Sequence, residues 1–163
     1  MGTDIHGYWE IKTKDGEWIA IRHVQSKRNY EWFSIIGGVR GGTDLWKIPP
    51  WNRGIPQNAS LAWKDYAGHP QNDLHSTTWL TLKEVHQALE FHLDEITRWK
   101  EIEPFDRDSV IPVKIPHESE FVESLIFGWN NKDLDLPWML EIKKWMFSKD
   151  LYECARMVVG FDS

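Results

Sequence analysis

The segment from Arg28 to Arg53 limits the fold of this chain more than any other part of its sequence. It reads RNYEWFSIIGGVRGGTDLWKIPPWNR. Glycine and proline disfavour the interior of helices and strands, so only Tyr30–Ile36 is predicted to be regular. We expect a short helix there, capped by Asn29 and ended by a left-handed Gly37. Irregular chain is predicted from Gly38 to about Asn58, and loops of that length in compact domains are usually functional.

The composition is that of a globular protein. The 163 residues are 41% hydrophobic, which is sufficient for one domain spanning residues 1–163 with its own core. The formal net charge is −6, whereas non-specific binding to duplex nucleic acid relies on a basic surface. We therefore expect no duplex nucleic acid among the partners. The 11 tryptophans predict an aromatic core, and some are expected to line a site for a flat ligand.

Cysteine content and hydropathy bear on the compartment. The single cysteine, Cys154, excludes an internal disulfide and fits a reducing environment. No basic and then apolar leader precedes the first predicted strand, and the apolar runs are too short to span a membrane. We expect no signal peptide and no membrane partner. The predicted location is the cytoplasm, for a chain that is either bacterial or from something that replicates in bacteria.

The first predicted elements form a β-hairpin. Residues Asp4–Lys12 alternate between apolar and polar side chains, the pattern of a half-buried strand. Asp15-Gly16 is a hairpin-turn signal. Trp18–His23 is predicted to return as the second strand.

Capping and spacing predict the remaining elements. Thr81 and Glu84 form a capping box at the start of the longest predicted helix, Leu82 to about Lys100. The polar run before this helix, Gly68–Thr78, is expected to be irregular. The other predicted elements are a helix from Asn58 or Ser60 to about Tyr66, an edge strand Ser109–Ile115, helices Ser119–Phe127 and Asp135–Phe147, and a closing strand Leu151–Phe161. This order predicts an α+β fold, with a mostly antiparallel sheet formed by the N- and C-terminal strands, helices packed on it, and long irregular functional loops.

Two copies of Asp-x-His are the first candidates for chemistry. Asp4 and His6 lie on the same side of a strand, and His75 follows Asp73 in the second copy. A carboxylate presented with an imidazole suits a divalent metal or an acid–base pair. We therefore predict a shared site of Asp4, His6 and His75 that is catalytic or binds a divalent metal. The competing interpretation is that so short a pattern occurs by chance and that Asp73 is a turn residue.

A mechanism with two histidines is an alternative. His75-Ser76-Thr77 and His117-Glu118-Ser119 each place a hydroxyl two residues after a histidine. Such a pair can hold a phosphodiester between a base and an acid. Ser119 is explained more simply as a helix cap.

Arginines of the glycine-rich segment are the predicted anion ligands. Their planar guanidinium groups bind phosphate and stack on flat rings. The alternative is that each arginine fixes an irregular loop by bonding backbone carbonyls. With the neighbouring aromatic and polar groups, the predicted ligand-binding residues are Arg28, Asn29, Tyr30, Arg40, Trp51, Arg53 and Ser76.

Several long motifs resemble a family of small uncharacterised proteins of phages and bacteria. MGTDIH at the start is similar to its MGxDIH, and RNYEWF with GVRG is similar to its RNYxxF…GVRG. RGIP and HSTTWLTL are similar to its RGxP and HSxSWLTL, and RMVVGFD is similar to its last strand. Thr3 stands where cysteine is common in that family, Thr78 stands where serine is, and residues 100–149 match loosely. The resemblance implies a viral or prophage setting and no established activity.

These features together predict a phage-type protein that binds a small phosphate-bearing, nucleotide-like ligand. By analogy of setting, it would sequester a host anti-phage defence signal. One alternative is a metal- or His-dependent phosphodiesterase that uses Asp4, His6 and His75. Another is a phage inhibitor that binds a host protein through a Trp-rich surface. A homo-oligomer is compatible with the sequence if the ligand site lies between subunits.

Overall fold

A computed structural model of the chain describes residues 2–24, 28, 30–40, 51–85, 87–88, 91 and 151–162. These residues contain a four-stranded antiparallel sheet with strand order β2-β1-β4-β3. The strands are β1 (Ile5–Lys12), β2 (Trp18–His23), β3 (His75–Thr81) and β4 (Ala155–Phe161). The predicted α+β fold, with a sheet built from both ends of the chain, is confirmed. The elements predicted between Ser109 and Phe147, and the long helix beyond residue 91, lie outside the described residues, as do Asn29 and His117.

The strands β1 and β2 form the predicted hairpin. Gly16 lies in its turn with a φ of +87°, a conformation that glycine adopts without strain. Its N–H donates to the carbonyl of Thr13 at 2.9 Å. The register shifts between Trp9 and Glu10, which marks a bulge.

The helices pack on this sheet from both sides. They are α1 (Tyr30–Gly37), α2 (Leu61–Ala67), α3, which begins at residue 82, and the short α4 (Leu151–Cys154). Ser60, one of the two predicted caps, begins α2, and its hydroxyl accepts from the Trp63 N–H at 3.3 Å. The capping box of α3 is also confirmed. The Thr81 N–H donates to the Glu84 carboxylate at 2.8 Å, and the Glu84 N–H donates to the Thr81 hydroxyl at 3.2 Å.

The end of α1 differs by one residue from the prediction. The left-handed residue is Gly38, with φ +68°, rather than Gly37. Gly37 stays helical and lies against the ring of Phe161, where a Cβ would overlap the ring. Gly38 lies against the indole of Trp51, whose Nε1 donates to the Ile35 carbonyl at 3.1 Å. Trp51 therefore closes the carboxyl end of α1.

The strand β4 runs between β1 and β3, and every one of its residues is buried. The prediction of a strand over Leu151–Phe161 is wrong at its start, because Leu151–Cys154 forms the helical turn α4. None of these four residues is β-branched, so helical backbone costs them little. Continuous burial follows from the central position of β4, which is covered on both faces.

The first four residues of the strand β3, residues 75–78, lie in a segment predicted to be irregular. The register shifts between His75 and Thr78, and Ser76 has a φ of +52°. A bulge of this kind interrupts the alternation that predicts a strand. The polar start of β3 therefore resembles a loop in sequence although it pairs with β4.

Each face of the sheet has its own core. On one face, α1 and α3 pack against alternate strand residues, with Phe33 and Phe161 fully buried between them. On the other face, α2 packs through the fully buried Trp63 onto Val158. The second face is the one that carries the polar side chains of β1.

An ion pair is buried on this second face. Glu10 is fully buried and Arg156 is 5% exposed, with 2.7 Å between Nε and Oε2. Glu10 also accepts the Ser60 N–H at 2.8 Å, and Arg156 donates to Asn58 Oδ1 at 2.9 Å. Burial lowers the pKa of Arg156, against the hydrogen bond and charge of Glu10. The pair therefore ties the segment before α2 to the middle of the sheet.

Candidate functional site

A polar network lies where β1 begins and β4 ends, a region that we call the β1/β4 end. Asp4 immediately precedes β1 and Asp162 immediately follows β4. The Asp162 N–H donates to the Asp4 carbonyl at 3.1 Å. The Asp4 N–H donates to the Asp162 carboxylate at 2.9 Å. These bonds join the start of β1 to the end of β4 and hold the Asp162 carboxylate beside His6.

His6 connects β1 to both β4 and α2. Its Nε2 lies 2.9 Å from Asp162 Oδ2, and its Nδ1 lies 3.0 Å from the hydroxyl of Tyr66 on α2. An ionised Asp162 accepts the proton on Nε2, which leaves Nδ1 of a neutral His6 to accept from the Tyr66 hydroxyl. The three half-buried side chains therefore form one hydrogen-bonded chain, Asp162–His6–Tyr66.

The surroundings of Asp162 favour its ionised form. Desolvation raises the pKa of this carboxyl, but the hydrogen bonds from the Asp4 N–H and from His6 outweigh it. The pKa of Asp162 is therefore below its ordinary value of 3.8. Asp162 is a carboxylate at neutral pH and can hold the Nε2 proton of His6.

This lowered pKa predicts a stability effect with a defined sign. The ionised Asp162 stabilises the folded chain fully above pH 3.8, its ordinary value, and the contribution is lost as pH falls through the lower folded pKa. Asp162→Asn should therefore be less stable than the wild type at neutral pH, with a difference that shrinks in acid. Urea unfolding of both proteins from neutral pH to about pH 3 measures it. A difference that does not change with pH would contradict the assignment.

A cavity of about 250 Å³ opens beside this hydrogen-bonded chain. His6 and Tyr66 line it together with Tyr8 and His23. The rings of Tyr8 and His23 pack with centroids 4.4 Å apart, and Tyr8 meets Trp63 edge-on at 6.4 Å. Burial, and then the neighbouring Tyr66, raises the pKa of Tyr8, which stays a neutral donor. Aromatic walls with a few polar groups suit a flat ligand.

Arg28 and Asp4 form a bidentate ion pair at the same end. The distances are 2.6 Å from Nε to Oδ1 and 2.8 Å from Nη2 to Oδ2. Their hydrogen bond lowers the pKa of Asp4 and raises the pKa of Arg28. The side chains are 55% and 45% exposed. A fully charged guanidinium is therefore accessible at this end.

Arg40 reaches the same place from the end of α1. Its Nε donates to Thr3 Oγ1 at 2.7 Å, and its guanidinium lies 5.8 Å from the centre of the Tyr30 ring. Tyr30 is 39% exposed, and its hydroxyl accepts the Thr3 N–H at 3.4 Å. Arg40 has a φ of +55°, and left-handed backbone costs a non-glycine residue about 1–3 kcal/mol. Such strain is concentrated at functional sites in proteins.

The structure brings some predicted site residues together and separates others. Five predicted site residues lie at the β1/β4 end. Each contacts another of them or a neighbouring residue there, and they are Asp4, His6, Arg28, Tyr30 and Arg40. In the described part of the chain, no group of three or more His, Cys, Asp or Glu side chains is arranged to hold a metal. The metal-binding hypothesis therefore gains no support from this geometry.

His75 and Ser76 lie at the same end of the sheet, but His75 is on the other face. His75 stands opposite Phe161 in the register, and the two rings are 6.4 Å apart. His6 stands opposite Gly160, and successive residues of a strand face opposite sides. His75 Nδ1 lies 3.0 Å from the Ser76 hydroxyl. No hydrogen bond within the described ranges joins His75 to His6.

Arg53 has structural partners. Two of its nitrogens lie 2.8 and 2.6 Å from the carboxylate of Glu84, and Nη1 also donates to the Trp79 carbonyl at 3.0 Å. The guanidinium lies 4.5 Å from the Trp79 ring centre. Arg53 therefore fixes the loop before α2 to the start of α3, in line with the alternative interpretation of this arginine. It also lines a second cavity of about 530 Å³.

Several residues of the network were not predicted from the sequence. They are Tyr8, His23, Tyr66 and Asp162. Asp162 could have been found as a polar residue directly after a buried strand, the counterpart of Asp4. No sequence signal pairs His6 with Tyr66, because their contact depends on how α2 packs on the sheet.

The chain matches no protein-family model, no curated protein and no solved structure. The class of the protein is therefore described from its fold and site alone. It is an α+β protein with an antiparallel sheet and a polar, aromatic cavity at one end of that sheet. The resemblance to small phage and bacterial proteins stays a prediction from the motifs. Within the described ranges, no helix has the length and apolar character needed to cross a membrane.

Proposed function

We propose that the chain binds a small phosphate-bearing, nucleotide-like ligand at the β1/β4 end of its sheet. One observation carries the proposal. Arg28 and Arg40 are exposed residues from different segments, and their guanidinium groups bond to the adjacent residues Asp4 and Thr3, with Arg40 also beside the ring of Tyr30. Guanidinium forks bind phosphate oxygens, and aromatic rings stack on bases.

The Arg28–Asp4 pair favours a nucleotide over a bare phosphate. Exposed ion pairs contribute little to stability, so a phosphate can displace the Asp4 carboxylate from Arg28. The released carboxylate repels a bare anion but accepts a hydrogen bond from a ribose hydroxyl or a base amine. A ligand that has both a phosphate and such donors therefore satisfies both side chains.

The adjoining cavity supplies space for a ring. Its volume of about 250 Å³ is below the 300–1,000 Å³ of typical whole-ligand pockets. It can therefore hold a base or a ribose while the phosphate stays outside with the arginines. Tyr8 and His6 would provide the polar groups that contact the edge of the ring.

Replacing Arg40 by alanine should weaken nucleotide binding by about 10- to 100-fold, the effect of losing a charge-assisted hydrogen bond. Isothermal titration calorimetry with the best ligand measures the change. Lys83→Ala is the control, because it removes one positive charge from the first turn of α3, at the other end of β3. Equal affinities for wild type and Arg40→Ala would remove Arg40 from the site.

A release assay tests the function as a whole. The pure protein is incubated with a panel of cyclic and ADP-ribose-type nucleotides, separated and denatured, and the released molecules are identified by mass spectrometry. The resemblance to phage proteins makes host defence nucleotides the first to try, since sequestering such a signal is the proposed role. An intact nucleotide recovered at one equivalent supports capture. Recovery of none would refute it and leave the host-protein inhibitor as the hypothesis to test.

A second candidate function is hydrolysis of the bound nucleotide. The observation that favours it is the chain Asp162–His6–Tyr66 on the wall of the cavity. A product that accumulates beyond one equivalent in the release assay would establish turnover. His6 is common to this candidate and to the hydrolase predicted from sequence, but its hydrogen-bonding partners are Asp162 and Tyr66 rather than Asp4 and His75.

A further inference from the structure

The chain Asp162–His6–Tyr66 places a hydroxyl next to a base. The Tyr66 oxygen lies 3.0 Å from His6 Nδ1, and His6 Nε2 lies 2.9 Å from Asp162. A carboxylate that orients an imidazole, which in turn accepts the proton of a hydroxyl, is the arrangement by which enzymes activate weak nucleophiles. The geometry therefore resembles a catalytic triad in which a phenol takes the place of an alcohol.

Packing fixes the position of Tyr66. Its ring stacks on the buried Trp63, with centroids 6.2 Å apart and planes at 16°. Its carbonyl accepts from the side chain of Asn72 at 2.7 Å. Because Ser60, the cap of α2, is bonded to Glu10, the helix that carries Tyr66 is itself attached to the sheet. A nucleophile held in this way meets the orientation requirement for catalysis.

Arg28 supplies the charge that phosphoryl transfer needs. Its guanidinium bonds to Asp4, whose N–H donates to the Asp162 carboxylate, and it is exposed at the same end of the sheet as His6. Once a phosphate displaces Asp4, Arg28 neutralises the oxygens on which negative charge develops. The group that would bind the phosphate, Arg28, and the groups that would activate the Tyr66 hydroxyl therefore lie at the same end of the sheet.

We propose that Tyr66 is the nucleophile of a phosphodiesterase reaction, a step that rests on the proposed phosphate site. The Tyr66 oxygen attacks phosphorus while its proton passes to His6 Nδ1, and Asp162 stabilises the imidazolium. The bond from phosphorus to the leaving oxygen breaks, and that oxygen takes the proton from His6. The products of this step are an alcohol and a phosphotyrosyl enzyme.

Water completes the reaction. Its oxygen bonds to phosphorus as His6 takes its proton, the bond between phosphorus and Tyr66 breaks, and the phenolate recovers the proton from His6. The sum is a phosphodiester and a water giving a phosphomonoester and an alcohol, with the protein returned to its starting state. The substrate class is therefore a phosphodiester-containing nucleotide.

The test uses the full chain and bis(p-nitrophenyl) phosphate, an activated diester that needs no base recognition. We expect release of p-nitrophenolate and a p-nitrophenyl phosphoryl adduct that peptide mapping by mass spectrometry locates on Tyr66. Tyr66→Phe keeps the ring on Trp63 but should lose the adduct and slow release by about 100-fold or more. His6→Gln should slow release about 100-fold. His69→Gln, at a histidine that does not line the cavity, should match the wild type.

The outcomes separate this proposal from the proposed function. A wild type that binds nucleotides but releases no p-nitrophenolate and forms no adduct would overturn the nucleophile and leave capture standing. Equal release by wild type and a folded Tyr66→Phe would also overturn it. A wild type that labels Tyr66 but binds no nucleotide of the panel would support the nucleophile and refute the capture proposal. Circular dichroism of each variant shows that it is folded.

Discussion

Replacing Glu10 by alanine should lower the free energy of unfolding by about 3–5 kcal/mol, the scale of removing one partner from a buried ion pair. The change would leave Arg156, which is 5% exposed, without its carboxylate. The Ser60 N–H at the start of α2 would lose its acceptor as well. Because α2 carries Tyr66, which lines the cavity, the same substitution should also weaken the proposed binding of a nucleotide.

Urea unfolding followed by tryptophan fluorescence measures this loss. Glu17→Ala, at an exposed glutamate in the β1–β2 turn, is the matched control and should change stability by less than about 0.5 kcal/mol. The double variant Glu10→Leu, Arg156→Met should regain much of the loss, because an apolar pair replaces the buried charges. A Glu10→Ala protein as stable as the Glu17→Ala control would contradict the role given to the pair.

Trp63→Ala should destabilise the fold by about 3–5 kcal/mol, the cost of truncating a buried aromatic residue. Trp63 is fully buried and contacts both Tyr8 and Tyr66. Its removal would open a cavity beneath α2 and release the ring of Tyr66. Chemical unfolding gives the stability change, and the p-nitrophenolate assay gives the effect on Tyr66.

Trp63→Phe is the informative companion variant. The Nε1 of Trp63 is buried without a hydrogen-bond partner among the described residues. Leaving such a group unsatisfied costs about 1–3 kcal/mol, so its removal offsets part of the lost contact area. We expect Trp63→Phe to lose far less stability than Trp63→Ala. Equal losses would contradict the offset expected from removing the unpaired N–H.

Local signals in the sequence were sufficient to predict the hairpin and the capping box of α3. The Asp15-Gly16 turn and the Thr81–Glu84 capping box depend only on neighbouring residues, and both are present. The start of β3 was not predictable in this way, because Ser76 is left-handed and interrupts the alternation. The pairing of β3 with β4 was not predictable either, because it joins segments that are far apart in the sequence and no local pattern specifies it.

The candidate site was predictable only in part for the same reason. Asp4 and His6 could be identified because they share one strand. Their partners Asp162 and Tyr66 come from other elements, and the sheet register and the packing of α2 decide which side chains meet. Arg53 is an example of a local pattern that omits a distant partner. Its position in a glycine-rich loop suggests that it binds a ligand, whereas in the structure its guanidinium bonds to the carboxylate of Glu84.

The central pairing of the sheet has a consequence for how the chain folds. His6 and Asp162 are 156 residues apart in sequence, and β1 pairs along its length with β4. A strand pair with such separation raises contact order, which slows folding. During synthesis, one edge of β1 stays unpaired until β4 leaves the ribosome, and unpaired strand edges promote aggregation. The hydrogen-bonded chain Asp162–His6–Tyr66 cannot form before that moment, because Asp162 directly follows β4.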